Sequence, residues 1–113
     1  MAANEAIILK TYSLLLYIIP ALGKMPRDHK FLIGDRIETK ILDLLDTFIA
    51  AYYSPRTGKA PLLKSANVQL EQLRFLVRLT HDLRLINLEK YGTISEMINE
   101  IGKMCGGWLK AVA

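Results

Sequence analysis

The chain has 113 residues, 51% of them hydrophobic and 23% charged, with a formal net charge of +4. This length fits one domain, residues 1–113, able to bury about two-thirds of its unfolded surface, and such hydrophobicity with so mild a charge excludes intrinsic disorder. Cys105 is the only cysteine, which excludes a disulfide framework or a cysteine-rich zinc site and points to a reducing, cytoplasmic setting.

Apolar spacing predicts four helices and no strand. The first runs from about Asn4 to Leu22, with Ile8, Tyr12, Leu15, Ile19 and Leu22 as its core stripe. Its uncharged run, Thr11 to Gly23, is shorter than the ~20 residues of a spanning helix, so no membrane association is expected. Ala21-Leu22-Gly23 has the small residues of a signal cleavage site, but Glu5 beside Lys10 upstream is not the positive segment that secretion requires. The second helix follows Met25-Pro26, a favourable start because the first turn does not need the proline N–H. Its stripe is Ile37, Ile41, Leu44 and Phe48. Ser54 to Lys59 reads as a loop rich in breakers. The third helix opens near Pro61 and carries Leu63, Ala66, Leu70, Leu73 and Val77. Asn87 is a good N-cap for the fourth, whose stripe is Tyr91, Ile94, Ile98, Ile101, Cys105 and Trp108. Four such helices with short joins imply an all-α, antiparallel up-down-up-down bundle.

The chain carries more apolar residues than four seams use. On the first helix Leu9, Leu14, Leu16 and Ile18 fall outside a narrow seam, and on the third Val68, Phe75 and Leu79 form a second ridge. A thick core with a few exposed hydrophobes would account for scattered residues. Their clustering into stripes favours burial between subunits, so Val68, Phe75, Leu79, Leu9 and Leu16 are the expected oligomer interface. Isologous pairs are the commonest arrangement, and nothing in the stripes excludes a ring.

Charge is unevenly spread. Residues 1–23, 24–53 and 87–113 each sum to zero, so the whole +4 lies in residues 54–86, as Arg56, Lys59, Lys64, Arg74, Arg78 and Arg84 against Glu71 and Asp82. Lys64, Arg74 and Arg78 share a strip of the third helix, a surface that repetition in an oligomer would turn into a footprint for phosphate backbones. Against this, Glu71 stands three residues before Arg74, where the two can pair. A second set, Lys24, Arg27, His29, Lys30, Arg36 and Lys40, is interleaved with Asp28, Asp35 and Glu38. That mixture suits specific charge-assisted contacts or an ordinary polar coat.

Catalytic patterns are missing. His29 and His81 have no partner at a recognisable spacing, and the adjacent pair His81-Asp82 should diverge on a helix. Glu96 and Glu100 share a face without the Glu-x-x-His pattern of a metal bundle. Cys105 falls on a core seam, where cysteine acts as a small hydrophobe. Neither a cofactor nor a metal nor catalytic residues are expected.

Three stretches are more specific than heptads: Met25-Pro26-Arg27-Asp28-His29-Lys30-Phe31-Leu32-Ile33-Gly34-Asp35-Arg36-Ile37-Glu38, Leu73-Arg74-Phe75-Leu76-Val77-Arg78-Leu79, and Ile101-Gly102-Lys103-Met104-Cys105-Gly106-Gly107-Trp108-Leu109. Together they resemble the Avd family, the accessory variability determinants of diversity-generating retroelements. More distantly they resemble the four-helix proteins encoded by intervening sequences of bacterial ribosomal RNA genes. The resemblance implies a homopentameric, barrel-shaped assembly of four-helix bundles. It also implies a non-catalytic protein that binds RNA or DNA and the element's reverse transcriptase in support of mutagenic retrohoming. By position, Arg36, Arg74 and Arg78 are the leading contact candidates, followed by Arg27 and Lys30, with Lys64 added from the basic strip. Two other readings remain: an interaction scaffold without nucleic-acid affinity, and a ribonuclease-like bundle, which lacks an acid and base on one face.

Overall fold

In the computed structural model, which describes residues 3–113, every regular element is helical. Helix α1 spans Ala3–Gly23. Helix α2 covers residues 27–53 as three continuous pieces, an α turn Arg27–His29, a π-helical segment Lys30–Gly34 and the main body Asp35–Tyr53. Helix α3 spans Arg56–Asp82 and α4 spans Leu88–Val112. Each helix packs against its neighbours in sequence and α1 closes against α4, leaving α1 and α3 on one diagonal and α2 and α4 on the other. The bundle measures 43 × 22 × 20 Å.

The stripes expected on α2 and α3 are buried throughout, and on α4 all but the half-buried Tyr91 are. Helix α1 differs. Its buried face is Ile7, Thr11, Leu14, Leu15, Ile18, Ala21 and Leu22, whereas Tyr12 and Ile19, expected inside, are 52% and 42% exposed. Leu14 and Ile18, expected among the surplus, are almost fully buried. A helix apolar nearly all round carries little phase information of its own, so its neighbours decide. Lys10 Nζ meets Glu100 Oε2 of α4 at 2.6 Å, and the Tyr52 hydroxyl of α2 donates to Glu5 Oε1 at 2.6 Å. The latter bond raises the Tyr52 pKa above its ordinary 10.0. Between these two ties Thr11 turns inward, its hydroxyl satisfied by the Ile7 carbonyl at 2.9 Å.

Helix α1 is also longer than its uncharged run. From Asn4 to Gly23 it is long and apolar enough, by length and composition, to cross a membrane. Here it forms one wall of the bundle, and the two charges that interrupt it are the ones tied to α2 and α4.

The loop expected over Ser54–Lys59 shrinks to Ser54 and Pro55, and α3 starts at Arg56 rather than near Pro61. Breakers are tolerated there because the first N–H groups of a helix have no intrahelical acceptor. The turn is closed by Lys59, whose Nζ donates to the carbonyls of Ala51 and Tyr52 at 2.8 and 3.0 Å and so satisfies the end of α2.

At the opposite end, Asn87 caps α4 as expected, its Oδ1 accepting from the Lys90 N–H at 2.8 Å. Helix α3 ends in a Schellman motif: Leu85 N–H reaches the Thr80 carbonyl at 2.8 Å and Arg84 N–H the His81 carbonyl at 2.9 Å. Arg84 has a φ of +60°, the left-handed conformation that this motif demands and that glycine adopts most cheaply.

Candidate nucleic-acid interface

The six cations that carry the net charge of residues 54–86 have different fates. Lys59 and Arg56 serve helix ends: Lys59 closes α2, and Arg56 Nη2 donates to the Ala111 carbonyl of α4 at 3.0 Å. Arg74 and Arg78 are paired along their own helix, Arg74 Nη1 with Glu71 Oε2 at 3.0 Å and Arg78 Nε with Asp82 Oδ2 at 3.6 Å. Lys64 and Arg84 keep no side-chain partner among the described residues. Pairs this exposed contribute only about 0–1 kcal/mol, so the arginines remain available to a phosphate, but each approaches it with a carboxylate attached.

Arg74 and Arg78 line a cleft between α3 and α4 with Tyr91, Ser95 and Asn99. The Arg74 side chain lies across the backbone of α4: a Cβ placed on Gly102 would stand 2.6 Å from Nη2. Gly102 therefore makes room for the guanidinium. Lys64, further along the same seam, does not join this cleft. It lines a second groove with Lys103, Lys110, Gly106 and Gly107.

The other candidates lie elsewhere. Arg36 of α2 lines a groove with Lys40, Phe75 and Leu79, where Lys40 Nζ donates to Gln72 Oε1 at 2.8 Å. Arg27 sits over the exposed Phe31 ring, 5.7 Å from its centroid, and Lys30 opens the π segment. A π segment adds a residue to the local register, and here it leaves Phe31 and Leu32 exposed beside Arg27 while Gly34 is buried. The six contact candidates thus form no single patch: Arg74 with Arg78, Lys64 by itself on the same seam, and Arg36, Arg27 and Lys30 on α2.

The expected interface residues are all exposed. Leu9 and Leu16 stand on α1, joined by Tyr12 and Ile19, and Val68, Phe75 and Leu79 stand on α3. Since α1 and α3 are diagonal, the two ridges face opposite sides of the bundle. Leu42 and Ile49, one heptad apart on α2, are exposed as well and were not singled out by periodicity.

His81 departs from expectation. Its Nδ1 lies 3.6 Å from Asp82 Oδ1, and its ring stacks on Tyr91 with centroids 4.3 Å apart. The stacked imidazole thus faces its sequence neighbour instead of diverging from it. His29 lies near the other turn, and its Nδ1 has no partner. Cys105 is fully buried, its Sγ 3.6 Å from the Leu63 carbonyl, and burial pushes its pKa up to about 11. Among the described residues no group of three or more His, Cys, Asp or Glu side chains is arranged to hold a metal ion.

Lys103 and Lys110 escaped the sequence reading because residues 87–113 sum to zero, with Glu89, Glu96 and Glu100 as the opposing charges. Position along the helix shows why the sum misleads. Glu96 stands two turns from Lys103, and Glu100 is engaged by Lys10 of α1. The bAvd-like family model matches residues 6–112 of the chain. No curated protein matches it.

Proposed function

The chain belongs to the bAvd-like family, and on that premise we propose that it is a non-catalytic accessory protein of a diversity-generating retroelement. In this reading it assembles into a homo-oligomeric barrel, binds RNA or DNA, and docks on the element's reverse transcriptase to support mutagenic retrohoming. It acts in the cytoplasm, without a cofactor or a membrane.

The observation that carries the assembly is the placement of two unlike apolar ridges on diagonal helices, Leu9, Tyr12, Leu16 and Ile19 on α1 and Val68, Phe75 and Leu79 on α3. A two-fold interface uses one patch twice, whereas two different patches on opposite sides suit a head-to-tail contact that closes into a ring. Five members is the ring size the family resemblance implies. Repetition of a +4 chain then creates the field that a monomer lacks, and Arg74, Arg78, Arg36, Lys64, Arg27 and Lys30 are the candidate contacts to nucleic acid or polymerase. A solution mass of the intact protein, with binding to RNA and DNA followed across a salt series, tests this. The reading expects a closed oligomer whose affinity falls steeply with salt. A monomer, or binding indifferent to salt, refutes it.

One observation favours a second reading, a scaffold without nucleic-acid affinity: Arg74 and Arg78 both pair with carboxylates of their own helix. Charge reversal at both positions separates the two. A scaffold keeps its assembly and its protein partner, and it has no RNA binding to lose.

A further inference from the structure

The seam between α3 and α4 carries a groove with three lysines, of which only Lys64 is among the contact residues expected from sequence. It is lined by Lys64 from α3 and by Lys103, Gly106, Gly107, Leu109 and Lys110 of α4, with Ala113 at its end. None of these three ammonium groups has an ion-pair or hydrogen-bond partner among the described residues. Nor does helix spacing supply one. Three and four residues from Lys64 stand Ala60, Pro61, Asn67 and Val68, and on the near side of Lys110 stand Gly106 and Gly107. Lys103 has Glu100 within reach, but that carboxylate is held by Lys10 at 2.6 Å. The groove thus keeps three uncompensated positive charges, in contrast to the paired arginines further along the seam.

The glycines make an independent argument. Each glycine within a helix costs about 1 kcal/mol relative to alanine. Gly102 has a reason inside the chain, because Arg74 occupies the space of its missing side chain. Gly106 and Gly107 have none: a Cβ on either would meet nothing within 4 Å. A bare helix surface flanked by free lysines admits a polyanion close to the backbone. The carbonyls at the end of α4 would oppose an anion, and Arg56, donating to the Ala111 carbonyl at 3.0 Å, offsets them.

From this placement we infer that Lys64, Lys103 and Lys110, which line one groove with the unobstructed Gly106 and Gly107, form a binding site for the phosphate backbone of a single nucleic-acid strand. Arg74, lying across Gly102, continues the track toward Arg78. From Lys64 to Arg78 the helical rise is about 21 Å, enough for several phosphates of one strand. The site rests on the proposed nucleic-acid role and extends it from the paired arginines to three lysines without a carboxylate partner among the described residues.

The test is the binding of a fluorescein-labelled oligouridylate, read by anisotropy over a salt series, with the mass of each variant measured in parallel. Compared with the unaltered protein, Lys103→Gln/Lys110→Gln should bind roughly tenfold or more weakly. Its log–log salt slope should fall by about 1.4, from two lost contacts at about 0.7 each on a single strand. Its mass should not change. If the unaltered protein binds and the double variant keeps both affinity and slope, the site is overturned while the nucleic-acid role stands. If the unaltered protein does not bind, that role falls and the site with it. If the variant loses its oligomer, the seam is a subunit contact and the site is refuted.

Discussion

Gly106→Ala and Gly107→Ala should stabilise the fold while weakening its binding to nucleic acid. Replacing a helical glycine by alanine lowers the backbone entropy of the unfolded chain and is worth about 1 kcal/mol where nothing obstructs the new methyl group. Nothing stands within 4 Å of the methyl at either position, so the whole gain should appear. For a chain of this size it corresponds to a rise in Tm of about 4 °C per substitution. Gly102→Ala is the internal control. Its methyl would meet Arg74 Nη2 at 2.6 Å, and the displaced guanidinium would leave Glu71. Loss of that exposed pair costs about 0–1 kcal/mol, so the net change should be close to zero. Urea and thermal unfolding of the three variants measure these values, and oligouridylate binding measures the opposing effect. A Gly106 or Gly107 variant that is less stable than its parent, or more stable with undiminished affinity, refutes the reasoning. The first outcome would mean that another part of the assembly packs on the bare face. The second would mean that close approach to this backbone is not used.

Two further outcomes follow from local geometry. Arg84→Gly should raise stability by about 1 kcal/mol, because the left-handed φ of +60° at the Schellman position is strained for arginine and free for glycine; a loss of stability in urea titration would show that the Arg84 side chain makes a compensating contact. The Cys105 thiol should be inert to a thiol reagent in the native protein at neutral pH and titrate on unfolding, since burial pushes its pKa up to about 11. Its ordinary value is 9.0, so the unfolded chain loses the proton first as pH rises. Native stability should therefore fall between about pH 9 and 11, a decline that Cys105→Ala should lessen.

Arg84 also leaves a local cost at the turn joining α3 to α4. Glycine is the cheapest residue at that position, yet the chain places there a cation with no side-chain partner among the described residues. Leu83 and Leu88 are exposed on either side of it, and Phe31 and Leu32 are exposed in the π segment near the start of α2, at the same end of the bundle.

The paired arginines show how far residue spacing carries the candidate site. Glu71 precedes Arg74 by three residues and Asp82 follows Arg78 by four, and both pairs form. Their neutralisation is a local property of one helix and could be read without a fold. Lys64, Lys103 and Lys110 are different, because α3 and α4 run in opposite directions. Residues about forty positions apart then share one groove, and a segment sum that reaches zero over 87–113 hides two of them.

The four-helix plan, the seams of α2, α3 and α4, the Asn87 cap and the family were determined by the sequence alone. Amphipathic spacing and capping are local, and each of those helices has one continuous apolar seam set apart by polar residues. Tertiary structure decided the face of α1, because that helix is apolar nearly all round and its packing against α2 and α4, with the ties to Tyr52 and Glu100 at its edges, selects which side is buried. It also decided that Ser54–Lys59 is mostly helix, since the Lys59 amine satisfies the α2 carbonyls that a loop would have left to water. And it decided which positive charges stand free, because a charge is cancelled by whatever lies near it in space, while the sequence records only what lies near it along the chain.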